Sequence, residues 1–158
     1  MEIKPAYNDI KNVRQLFTEY TNLLVELEPI FQDYLDIQNF DCEMDAIAEK
    51  YMLPMGRLYI AYVDGQAAGC IALLPMSDTE CEMKRLYVRP EFARRGIGQA
   101  LAEKLVQDAK EIGYKHMLLD TFPALHKAIQ LYENMGFYRI PAYSKSPMED
   151  TVYMKLDL

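Results

Sequence analysis

The stretch LYVRPEFARRGIGQALAEKLVQDAKEIG, Leu86 to Gly113, constrains the fold more than any other part of the chain. A β-rich run ends at Pro90, which has no N–H to offer a strand ladder. Gly96 and Gly98 then open a run in which Ile97, Leu101, Leu105, Ala109 and Ile112 fall on one helical face. Gly113 stands where a left-handed residue closes a helix. A strand, a tight link and a long amphipathic helix, in that order, require a sheet with helices packed on it.

The link itself has chemistry. A helix N-terminus presents unpaired backbone N–H groups and the positive end of the macrodipole, which together attract anions. Glycine at 96 and 98 lets that backbone approach a phosphate with no Cβ in the way. Arg94 and Arg95 add positive charge beside it. The dinucleotide fingerprint GxGxxG is excluded, because Leu101 occupies its third position. A Walker A loop, GxxxxGK[ST], is absent from the sequence. Taken alone, the loop reads equally as a phosphate cradle or as a glycine-tightened turn flanked by solvated arginines.

Around this core the pattern predicts a mixed α/β domain over residues 1–158, with no linker and no internal repeat. EIKP reads as a first strand. Asn8 or Asp9 caps a helix that carries Val13, Leu16, Phe17, Tyr20, Leu24 and Leu27 as its apolar positions. Pro29 interrupts it, and helices over Ile30 to Ile37 and Cys42 to Tyr51 follow. Asp64-Gly65 joins two β-rich runs as a hairpin turn. ECEMKRLYVRP and KHMLLDT read as strands. PALHKAIQLYENM reads as a helix with Pro123 in its first turn and Gly136 past its end. FYRIPAY and TVYMKLDL complete the strands.

Composition excludes several classes. The chain is 51% hydrophobic and 26% charged, as in ordinary globular proteins. No run reaches the roughly 18 apolar residues of a membrane helix, and MEIKPAYNDI lacks a signal-peptide pattern. A cytoplasmic location and no membrane partner are the expectation. The net charge of −7 opposes broad nucleic-acid binding. Its distribution is uneven: residues 19–49 hold nine acids and no Lys or Arg, whereas residues 84–95 hold five cations and one acid. Cys42, Cys70 and Cys81 match neither a disulfide framework nor a metal motif, and are expected as reduced core residues. With two histidines and no clustered ligands, no metal is expected.

LYVRPEFARRGIGQAL resembles the acyl-CoA-binding segment of the GNAT superfamily of N-acetyltransferases: a strand, a Pro-containing link, an (Arg/Gln)-x-x-Gly-x-(Gly/Ala) loop and a helix. AIQLYENMGF resembles the second hallmark, Ala-x-x-Leu-Tyr-x-x-x-Gly-Phe, at the family's downstream distance. The resemblance covers residues 58 to 158. It implies a mostly antiparallel central sheet of about seven strands, with helices on both faces, and acetyl-CoA as acyl donor. It places the pyrophosphate on Ala93, Arg94, Arg95, Gly96, Ile97, Gly98 and Gln99. The pantetheine arm falls along the main chain of Leu86, Tyr87 and Val88, and against Leu125, Ala128 and Tyr132. Two positions depart from the pattern: Ala93 replaces the leading Arg or Gln, and Leu125 replaces the Asn that opens the second motif.

The resemblance also implies direct attack by an amine. Tyr132 matches the tyrosine that protonates the departing thiolate, although Ala128, Leu131, Tyr132 and Met135 equally form an apolar stripe. Glu82 stands where one branch of the family keeps a general base; the alternative is a surface glutamate paired with Lys84. His116 reads as structural, and His126 lies near the implied channel without a motif to make it a base. The acidic segment falls where the family binds its acceptor, either to attract a cationic amine or as a solvated helix face. IPAYSKSPMEDTVY, with Tyr143, is a second wall. The resulting expectation is an acetyl-CoA-dependent N-acetyltransferase acting on a primary amine of a small molecule, amino acid or peptide. The alternative is a non-catalytic acyl-CoA-binding or sensing module. No residue names the acceptor, distinguishes acetyl from a longer acyl group, or decides between monomer and homodimer.

Overall fold

The computed structural model describes residues 1–38, 40–146 and 148–158. Its strands follow from where the turns fall. Asp64 (φ 50°) and Gly65 (φ 78°) adopt the left-handed turn that joins β2 (Arg57–Val63) to β3 (Gln66–Pro75). β3 in turn pairs antiparallel with β4 (Glu80–Val88), and β1 (Glu2–Pro5) pairs on the outer side of β2. Beyond β4 lie β5 (His116–Thr121), β6 (Tyr138–Ile140) and β7 (Val152–Asp157). Among the described residues, seven strands run in the order β1-β2-β3-β4-β5-β7-β6, and only the β4–β5 neighbours are parallel. This is the mixed, mostly antiparallel sheet expected.

Two layers of helix cover its faces. α1 (Ile10–Leu27), α2 (Phe31–Gln38), α3 (Phe40–Asp45) and α4 (Ile47–Lys50) precede β2. α1 presents Val13, Leu16 and Phe17 to Leu58, Ile60, Cys70 and Ala72 of the sheet. On the other face, α5 (Ile97–Ile112) buries Ile97, Leu101, Leu105 and Ala109 against Ile71, Leu73 and Met83. α6 (His126–Asn134) adds Ile129 and Tyr132 to the same cluster. Gly96 (φ 73°) and Gly113 (φ 107°) bound α5 in left-handed geometry, as the sequence predicts for Gly113.

α5 is also held by charge. Asp108, 4% exposed, accepts from the Tyr59 hydroxyl of β2 and from Lys104 Nζ at 2.6 Å, with Arg57 Nε at 3.4 Å. One buried carboxylate thus ties the middle of the helix to an inner strand.

Several expected details differ. The helix expected over Cys42 to Tyr51 breaks at Ala46 into α3 and α4. Pro123 lies outside α6, which starts at His126 after a turn in which Leu125 N–H bonds Phe122 O. FYRIPAY yields only three strand residues, because Pro141 has no donor to extend the ladder. Asp9 precedes α1 without a side-chain cap; its carboxylate is taken by Asn12 and Tyr62. Cys70 and Cys81 are buried as expected, but Cys42 is exposed, on the outer side of the short α3.

Candidate active site

β4 and β5 part company. Their parallel ladder has three rungs, ending at Glu82↔Leu118, whereas β4 stays paired with β3 through Val88 and β5 stays paired with β7 through Thr121. A wedge therefore opens in the sheet, and main-chain groups along one edge of Leu86, Tyr87 and Val88 lie outside the β4–β5 ladder. Such unpaired groups are donors and acceptors for a bound molecule. A bulge widens the wedge. Lys84 pairs with Ala72 and Tyr87 with Cys70, so two β4 residues, Arg85 and Leu86, oppose Ile71 alone.

Arg85 carries the bulge at φ 59°, a conformation that costs a non-glycine residue about 1–2 kcal/mol. The side chain explains why it persists. Its guanidinium donates to both Glu43 oxygens, at 3.3 and 2.5 Å, and lies over the Phe17 and Phe40 rings. Glu43 also meets Lys50 at 3.3 Å and the Tyr51 hydroxyl at 2.5 Å. Burial alone would raise the Glu43 carboxyl, but Arg85, Lys50 and Tyr51 together hold it down at about 2. Glu43 is therefore a counter-ion for the strand and not a lure for an amine. Of the remaining acids in residues 19–49, Glu19 pairs with Arg89 at 2.8 Å, Glu28 is half-buried just past α1, and Glu26, Asp33, Asp36, Asp41, Asp45 and Glu49 are solvated.

A small cavity of about 40 Å³ sits in the wedge. Tyr20 and Leu24 reach it from α1 and Tyr132 from α6, so residues from opposite faces of the sheet meet there. Lys84, Arg85 and Leu86 line the β4 wall, and Leu119, Asp120 and Thr121 the β5 wall. Leu24, Phe31, Leu35, Phe122 and Met148 form an apolar roof. Burial pushes the Tyr132 hydroxyl far above the usual phenol range, and the neighbouring Tyr20 and Asp120 push it further the same way. Burial likewise raises Tyr20, to about 12. Both phenols stay protonated and able to donate.

Below the wedge, Glu82 is 7% exposed. Tyr143 donates to its Oε2 at 2.5 Å, and Lys84 Nζ stands 3.4 Å from Oε1. At the wedge's far end the chain makes a 3₁₀ turn, Pro90–Phe92, then passes through Ala93, Arg94 and Arg95, all solvent-exposed, into α5. Arg94 (φ 64°) and Gly96 (φ 73°) turn this loop back on itself. A Cβ at Gly98 would meet only Val88 Cγ2, at 3.7 Å, so the mouth of the helix is open.

A strand, an open cradle at a helix start and a protonated tyrosine in a split sheet call for comparison with known proteins. The model of the acetyltransferase (GNAT) family matches residues 21–137. The chain belongs to the GNAT family. An uncharacterized N-acetyltransferase of Schizosaccharomyces pombe is 35% identical to this GNAT protein, with 99% of this chain and 98% of that one covered. An acetyltransferase from Streptococcus agalactiae shares its fold with a TM-score of 0.75 at 22% identity, covering 99% of this chain and 98% of that one. A GNAT acetyltransferase from Elizabethkingia anophelis with acetyl-CoA bound has a TM-score of 0.58 at 24% identity, covering 71% and 82%. By family, the protein is an N-acetyltransferase.

Within the GNAT frame, the structure brings Tyr132, Leu86 and the wedge together, and sets Arg94 to Gln99 at its outer end. Glu82 is no surface glutamate; it is buried and held from two sides, one rung behind the cavity. Leu125, where the family has Asn, packs into the apolar roof. Ala128 is half-buried against the α6 core. His126 is exposed at the α6 start and does not line the cavity, and His116 meets Asp157 at 3.1 Å near the molecular edge. Tyr143 does not line the cavity but donates to Glu82 behind it; Pro147 of that segment lies outside the described residues. Arg85, Glu43, Tyr20 and Asp120 are the residues that sequence reasoning passes over. Two adjacent cations in a strand at Lys84-Arg85, and one acid ending the apolar run MLLD, are the signals that point to them.

Proposed function

We propose that this GNAT protein moves an acetyl group from acetyl-CoA to a primary amine by direct attack. The observation that carries the reading is the meeting of a protonated Tyr132 with the main-chain edge of the β4 wedge, next to an open helix mouth. The cradle fits a diphosphate: its loop backbone is turned by Gly96, Gly98 leaves room, and Arg94 and Arg95 are solvated nearby. Acetyl-CoA supplies, when bound, a thioester whose C–S bond breaks as the nitrogen–carbon bond forms.

The protein's own groups do the rest. The edge of Leu86, Tyr87 and Val88 aligns the donor arm as an added strand would. The roof of Leu24, Phe31 and Phe122 closes the reacting pair off from bulk solvent. Glu82 takes the proton that the ammonium releases before attack, through water in the cavity. Tyr132 hands a proton to the sulfur and regains one from the nitrogen. Retention of both groups in this geometry supports a working enzyme over a sensor that only binds acyl-CoA.

Thermal denaturation tests the donor assignment. Acetyl-CoA at a hundred times its dissociation constant is expected to raise Tm by about 5–10 °C. Gly98→Glu, which folds because its Cβ meets only Val88, is expected to abolish the shift. No shift in the parent protein removes the reading; a shift without thiol release on any amine turns it into the sensor.

A further inference from the structure

Opposite charges face each other across the wedge. The last rung of the β4–β5 ladder is Glu82↔Leu118. Two residues further on, side chains return to the same face, so Lys84 stands opposite Asp120 where the strands have already separated. Both line the cavity.

Asp120 lies beside the reacting position. Its charge is felt at the hydroxyls of both Tyr132 and Tyr20, which flank the cavity from opposite faces. Lys84 is the cation on the other wall with hydrogens to spare. Arg85 spends its guanidinium on Glu43, held at both oxygens, whereas Lys84 has Glu82 at 3.4 Å and an ammonium with three donors. The Tyr143 hydroxyl already occupies the other Glu82 oxygen. A chain of net charge −7 repels carboxylates in general, so a carboxylate held in the wedge needs a specific cation, and Lys84 is the one on the β4 wall that is not held at both oxygens of a counter-ion. Leu24, Phe31 and Phe122 leave an apolar ceiling over the pair.

Resting on the acetyltransfer reading above, we infer that the acceptor is a small zwitterion, an amine with a carboxylate on the same or the neighbouring carbon. Its ammonium docks on Asp120 and its carboxylate on Lys84. The nitrogen then lies beside Tyr132, and Glu82, one residue pair behind Lys84 on the same wall, receives the released proton. An apolar side chain on the zwitterion faces the roof. A peptide N-terminus lacks the adjacent carboxylate and has further chain to pass beneath that roof.

Thiol release from acetyl-CoA tests this with the standard amino acids, each beside its carboxamide and its decarboxylated amine. The best free amino acid is expected to exceed both partners by about 100-fold in kcat/KM. Lys84→Met is expected to shrink that ratio to within about threefold, mainly through KM, and Lys84→Arg to restore most of it. Asp120→Asn is expected to raise KM for every amine while the acetyl-CoA melting shift persists, which keeps a folding defect apart from a lost contact. Carboxamides, decarboxylated amines or peptides turned over as well as free amino acids overturn the zwitterion, and leave acetyltransfer standing. Absence of both melting shift and thiol release overturns the acetyltransfer reading itself.

Discussion

Tyr132 is pressed between the Phe137 ring, 5.7 Å away, and the cavity, and both surroundings bear on its role. A side chain that only packs would survive loss of its hydroxyl. Tyr132→Phe keeps the ring and removes a hydroxyl that burial holds in the protonated state. Turnover is expected to fall by about 10²-fold, with KM for donor and acceptor within about twofold. Steady-state kinetics with both substrates varied makes the measurement, and unchanged kcat returns Tyr132 to the apolar stripe. Tyr132 was legible in the sequence because its motif is local, ten residues read in one window. Arg85 with Glu43 was not: the partners lie 42 residues apart, on different elements, and neither has meaning without the other. Glu82 and Tyr143 were each legible as candidates, but their hydrogen bond, which spans 61 residues, was not.

At the scale of elements, the cradle depends on where α5 points, and α5 takes its direction from an apolar stripe and from Asp108. Periodicity reveals the stripe and both bounding glycines, because helix phase is a property of neighbours in the chain. It does not reveal that Asp108 faces inward, since Tyr59 arrives from another strand. Replacing Asp108 by Ala leaves Lys104, Arg57 and the Tyr59 hydroxyl short of an acceptor. The expected cost is about 3 kcal/mol, a fall in Tm of about 6–12 °C. Thermal and denaturant unfolding measure it, and a loss below about 1 kcal/mol would mean that solvent satisfies the three donors. The wedge was partly legible: Pro90 ends β4, but its parting from β5 after three rungs is set by β7, the last strand, claiming β5 along its whole length.

For the whole molecule, pH enters through the buried ion pair. The Glu43 carboxyl titrates near 2 in the folded protein, below its ordinary value of 4.5. A depressed carboxyl stabilises the fold above the unfolded value, and that contribution drains away as pH falls from about 4.5 towards 2. Urea titrations are expected to give constant stability from this group above pH 5 and a steep loss between pH 4.5 and 2. In Glu43→Gln that slope is expected to flatten, with lower stability at neutral pH because Arg85 stays buried without its counter-charge. An unchanged acid slope in the variant would assign the loss to other carboxylates. The fold class was the most legible level, since strand order in the chain and the two bounding motifs already demand a sheet covered on both faces.

The three parallel rungs have a mechanical meaning. Without them the sheet would be two pieces: four strands with α1 and α5 on one side, and three strands with α6 on the other. A molecule laid in the wedge bridges those pieces over the stretch where the protein supplies no rungs of its own. On the proposed reading, loading the donor stitches the sheet, and releasing it reopens the seam.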